Sequence, residues 1–232
     1  MNKENVLFGI IGLLLGCVIG FMYANSVNQS GPSRPAPVAG MPSNTAIPPG
    51  HPDIGASNSG MQPAVQEAIA KARAAPDDFE AQIKAAEMYY QIQRFDGAIE
   101  FLKRAGQLKP DDYETTVNLG NAYFDAQKYE EAEKSYSAAL AKKADDVNVR
   151  TDLGLTFVFR GSPNYDHAIQ EFQRSLDLDP NHIQTLQNLT VAYTKKGDSA
   201  KAKAILARLE GLDSTNSAIA KLRDDLQKID SK

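Results

Sequence analysis

The sequence predicts an all-α protein: a solenoid of antiparallel helix pairs, preceded by one transmembrane helix and a disordered linker. Three observations predict it. The chain repeats itself at a spacing of about 34 residues, a period that marks stacked helical hairpins: Leu119 and Gly120 recur as Leu153 and Gly154, Tyr123 as Tyr89 and Phe157, and Ala132 as Ala98. The run from Val6 to Tyr23 is apolar and uncharged. Between the two lies a stretch dominated by Pro, Gly, Ser and Asn.

The apolar run sets the first element, residues 1–24. Its eighteen residues, at about 1.5 Å rise each, span roughly 27 Å, close to the ~30 Å thickness of a bilayer's hydrocarbon. A helix is the form that satisfies such a backbone in lipid, and Tyr23 stands where an interfacial aromatic is favoured. The run is longer than a usual signal-peptide core and lacks a small-x-small cleavage site before the polar boundary, so an uncleaved anchor is expected. Cys17 follows Leu14-Leu15-Gly16 in a pattern that resembles a lipoprotein acylation site, and a lipoprotein acylated at Cys17 is the alternative; the apolar residues after it favour a cysteine buried as a small hydrophobe. Gly12, Gly16 and Gly20 share one helix face and predict close approach of two such helices, that is, a homodimer through the membrane. Lys3 and the chain's amine precede the helix, which places the N-terminus in the cytoplasm and the rest of the chain across the membrane.

Residues 25–60 carry Pro32, Pro35, Pro37, Pro42, Pro48, Pro49 and Pro52 and too little apolar surface to offset ordering entropy. They read as a tether, with ends roughly 35 Å apart as a coil and about 110 Å apart if stretched. His51 falls within it.

A first helix is expected over residues 61–76, with Val65, Ala68, Ile69 and Ala72 at helical spacing and Pro63 in its first turn. Four repeats follow over 77–216 (about 79–112, 113–146, 147–182 and 183–216), and a last helix over 217–232 turns Ile219, Leu222, Leu226 and Ile229 inward. The two outer helices are expected to close the ends of the stack, because a helix pair cannot bury its apolar face alone. Asp78, Asp112 and Asp146 are placed to cap the first helix of three pairs, and Asn181 the fourth. Pro110 and Pro180 stop second helices. Two extra residues lie between Phe157 and Ala168, so the turn from Phe159 to Tyr165 is longer than its counterparts; a neutral insertion and a contact loop both remain open.

These residues carry a family resemblance. Leu119-Gly120, Tyr123, Ala132, Tyr136 and Ala139 resemble the tetratricopeptide (TPR) pattern. So do Ala85-Ala86, Tyr89, Ala98, Leu102, Ala105 and Pro110; Leu153-Gly154, Phe157, Ala168, Phe172 and Pro180; and Leu189, Tyr193, Ala202 and Leu206. The sequence departs from the pattern in lacking tryptophan, in placing Ala86 and Thr190 where the family has its helix-contact glycine, and in placing Ser214 where a proline would fall. The resemblance implies a right-handed solenoid whose first helices line a concave groove. Carried over position by position, that groove would be formed by Ile83, Glu87, Tyr90, Val117, Asn121, Phe124, Thr151, Leu155, Val158, Gln187, Val191 and Thr194, an apolar strip with a few amides, rimmed by Glu80, Glu114, Asp125 and Lys195. Such a groove suits a protein or peptide ligand. Ile83 and Glu87 stand where some TPR domains begin a Lys/Asn clamp for a peptide's terminal carboxylate, which argues against that mode.

Composition excludes other classes. The net charge of −4 gives no basic stripe for nucleic acid, and one cysteine with three scattered histidines gives no metal site or disulfide framework. No nucleophile–base pair or phosphate-cradling glycine loop is present, so no catalytic residue and no cofactor is expected. The chain reads as a non-catalytic, membrane-tethered scaffold or adaptor that resembles bacterial TPR proteins of envelope assembly. The alternatives are a homo-oligomeric structural scaffold, or an accessory subunit of a complex of the cytochrome c maturation type.

Overall fold

The computed structural model describes residues 63–231, and their regular structure is helical throughout. The expected membrane helix with Cys17, Gly12, Gly16 and Gly20, and the linker after it, lie outside the described residues. Among the described residues no helix is long and apolar enough to cross a membrane. The elements are α1 (Pro63–Ala74), α2 (Phe79–Gln91), α3 (Phe95–Leu108), α4 (Tyr113–Asp125), α5 (Tyr129–Lys142), α6 (Val147–Phe159), α7 (Tyr165–Leu178), α8 (Ile183–Lys196), α9 (Ser199–Leu212) and α10 (Ile219–Asp230).

The stacking is sequential. α2 pairs with α3, α4 with α5, α6 with α7 and α8 with α9, and each second helix packs onto the first helix of the next pair. α1 lies on α2 and buries Val65, Ile69 and Ala72; α10 lies on α9 and α8 and buries Ile219, Leu222 and Leu226. Gln82 in α2 is buried and its amide donates to the Ala72 and Ala75 carbonyls (2.8 and 3.0 Å), satisfying orphan acceptors at the end of α1.

Local sequence explains where the helices start. The Asp78, Asp112 and Asp146 carboxylates accept the backbone N–H groups of Ala81, Thr115 and Val149 at 3.0, 2.7 and 3.0 Å. The fourth cap corrects the sequence reading. α8 is preceded by His182, not Asn181, and no side chain caps it; the Asn181 N–H is taken instead by Asp179 at 3.0 Å. The reason is register: the two inserted residues move the position equivalent to Asp146 on to His182. His182 Nδ1 bonds the Thr185 hydroxyl instead, at 2.6 Å.

The insertion lies between α6 and α7. In the first two pairs the turn carries a residue in the left-handed region, Gln93 (φ 58°) and Gln127 (φ 59°), and the fourth uses Gly197 (φ 85°). In the third pair Arg160 leaves α6 extended, and the turn is tied down by Arg160 pairing with Glu133 of α5 and by the Asn164 N–H donating to the Phe157 carbonyl at 2.8 Å.

The close approach within a pair is set by glycine facing an aromatic ring. A Cβ on Gly120 would lie 2.6 Å from the Tyr136 ring, and one on Gly154 would lie 2.5 Å from that of Phe172. In the first and fourth pairs the equivalent positions hold Ala86 with Leu102, and Thr190 with Leu206, all buried. Larger residue on one helix goes with smaller residue on the other, as close packing demands. Gly120→Ala is therefore expected to destabilise the stack by about 1–3 kcal/mol, the usual cost of overpacking. Adding Tyr136→Leu should return part of that loss. Denaturant unfolding of the two single variants and the double variant measures the coupling; strict additivity would show that this contact does not set the spacing.

Candidate functional site

The first helices each present one stripe away from the core, at i, i+4, i+7 and i+11. On α4 it is Glu114, Asn118, Asn121 and Asp125, on α6 Asn148, Asp152, Leu155 and Phe159, and on α8 Gln184, Asn188, Val191 and Lys195; all are exposed or half-buried. α6 also touches α8, so the first helices approach one another and line the inner side of the stack. This stripe is more polar than the sequence reading had it, with Asn118, Asp152 and Asn188 at one register on three successive helices.

Of the residues expected to form the groove, Glu87, Asn121, Leu155 and Val191 lie on the stripe. Glu87 is exposed and paired with Lys84 at 3.2 Å, and Asn121 accepts the Tyr136 hydroxyl at 2.9 Å. Ile83, Val117, Leu155, Val158 and Val191 are half-buried and packed against the core. Gln187 donates to Asn216 at 2.6 Å. Thr151 is a correction: it is fully buried, its hydroxyl bonding the Val147 carbonyl (2.8 Å) and the Thr185 hydroxyl (2.6 Å). It holds α6 to α8 and lines no surface. Thr194 has a buried hydroxyl with no hydrogen-bond partner among the described residues.

Tyr90 and Phe124 occupy one position in successive repeats and make equivalent contacts. Tyr90 meets Phe95 edge-on at 5.3 Å and donates to Asp125 of the next first helix. Phe124 meets Tyr129 edge-on at 5.3 Å and Phe159 of the next first helix at 5.8 Å. Where one junction closes with a hydroxyl–carboxylate bond, the next closes with a third ring, and Phe159 is left 43% exposed at the lip. The expected continuous apolar strip through Tyr90, Phe124 and Leu155 is thus interrupted by Asp125 and Asp152.

Electrostatics concentrate at that interruption. Burial, with Asp146 and Asp125 nearby, pushes the Asp152 carboxyl up to about 7. Burial also raises Asp125, against the hydrogen bond from Tyr90. The Tyr90 and Tyr136 hydroxyls are held far above the usual phenol range, by burial first and then by Asp125 for Tyr90 and Asp152 for Tyr136. Of these four groups, Tyr90 and Asp125 are in direct contact, and the Tyr136 hydroxyl goes to Asn121. No described residue hydrogen-bonds or ion-pairs with Asp152. At the same register on α8, the buried Asn188 Nδ2 also lacks a partner among the described residues. Sequence reasoning missed Asp152 and Asn188, although an Asn/Asp/Asn recurrence at the repeat spacing was there to be found. No group of three or more His, Cys, Asp or Glu side chains suited to a metal ion occurs among the described residues.

Family models described as tetratricopeptide repeat match residues 93–151 and 161–226, and, for a second model, 62–113. No curated protein matches in sequence. Among solved structures, a crystal structure of MamA is 23% identical, with a TM-score of 0.59 over 65% of this chain and 86% of that one. A MamA fragment beginning at residue 41, from Desulfovibrio magneticus RS-1, is 20% identical, with a TM-score of 0.60 over 66% of this chain and 85% of that one. At these identities the likeness is one of fold.

The raised Asp152 carboxyl has a consequence for stability. An unfolded aspartate titrates near ~3.9, so between there and about 7 the folded chain keeps a proton that the unfolded chain has released. That contribution is complete below the unfolded value and is lost as pH rises through the folded one. Asp152→Asn is therefore expected to raise the melting temperature by about 2–4 °C or more at pH 8 and by clearly less at pH 5. Comparing the variant with the parent at each pH cancels the titration of Asp125 and His182. Circular-dichroism melts check this; a gain equal at both pH values would mean that Asp152 does not carry it.

Proposed function

Because the chain belongs to the tetratricopeptide repeat family, we propose that it is a non-catalytic adaptor, tethered to a membrane by its first segment, which holds a segment of a partner protein along the inner face of its helix pairs. The observation that carries this reading is the repeating stripe on α4, α6 and α8. Amide and carboxylate groups recur there at one register, Asn118, Asp152 and Asn188, beside Leu155 and Val191, and the buried Asn188 Nδ2 has no partner among the described residues. An extended segment supplies alternating backbone donors and acceptors to such groups and apolar side chains to the residues beside them.

In this reading residues 6–23 hold the chain in the bilayer, Gly12, Gly16 and Gly20 let two anchors pair, and the linker gives the repeats reach. The N-terminus then faces the cytoplasm and the repeats lie across the membrane. Site-specific photo-crosslinking of the full chain in its own membranes tests the binding face. A benzophenone side chain at Leu155 is expected to give a discrete adduct with a partner, and one at the exposed Ser137 of α5 is not. Adducts from Ser137 alone would move the site to the outer face. Deleting residues 1–24 is expected to shift the chain from the membrane to the soluble fraction; unchanged sedimentation with membranes would remove the anchor from this reading.

A further inference from the structure

We draw no further inference here: the strongest candidate, the aromatic surface patch of Phe124, Tyr129 and Phe159 at the lip of the inner face beside the inserted turn, carries nothing because nothing in the structure shows what covers it.

Discussion

Where Gly120 faces Tyr136 and Gly154 faces Phe172, the missing Cβ atoms let a ring lie flat against a helix backbone, and that contact fixes how far apart the two helices of a pair run. The rest of the described structure depends on this distance. The alanines that are fully buried on the second helices (Ala98, Ala132, Ala168 and Ala202) are small for the same reason. With pair spacing fixed, each second helix presents one apolar edge to the next first helix, and the core becomes a continuous seam along the stack. No single pair closes such a seam, so its stability is shared among neighbours. Lys142 and Arg104 show this sharing at the surface: each reaches back to the turn before its own pair, holding the Pro110 carbonyl at 2.7 Å and the Pro76 carbonyl at 2.9 Å.

The seam explains why so much of the fold was legible in the sequence. Gly120, Ala132 and Tyr136 have roles decided inside one pair, and the period repeats those roles at known places. Asp78, Asp112 and Asp146 cap helices through bonds three residues long, which sequence also exposes. What depends on the rotation of one pair against the next was not legible. Thr151 looks like any half-apolar helix position until α8 is set against it, where Thr185 claims its hydroxyl. His182 displaced Asn181 as the residue before α8 because an insertion upstream changed the count. Gln82 has no repeat-wide counterpart; its burial is a response to the end of α1 lying across it.

The inner face mixes residues fixed by packing with residues that are not. Tyr90 and Phe124 spend their rings on the junctions between repeats, where they meet Asp125 and Phe159 of the stripe, while exposed stripe members such as Asn118 are free of that duty. This division is physical. The side chain that leans toward the neighbouring helix must match it, whereas the one pointing straight out answers to solvent or to a ligand. Glu114, Asn118 and Lys195, all exposed, belong to the second kind.

The alternation of Gly with an aromatic and of Ala or Thr with Leu bears on how a tandem array reaches the right pairing. A chain built from near-copies can set a helix against the wrong copy, and local contacts alone would barely object. Here the pairs differ in which residues meet: Gly97 lies against Tyr89 in the first, Gly120 against Tyr136 in the second and Gly154 against Phe172 in the third. Placing α2 against α5 would drive the methyl group of Ala86 toward the space the Tyr136 ring fills against glycine, and placing α4 against α3 would leave Leu102 facing a gap where a ring belongs. Ala86 and Thr190, the departures from the repeat pattern, thus give the outer pairs a contact that a swapped inner helix would not match.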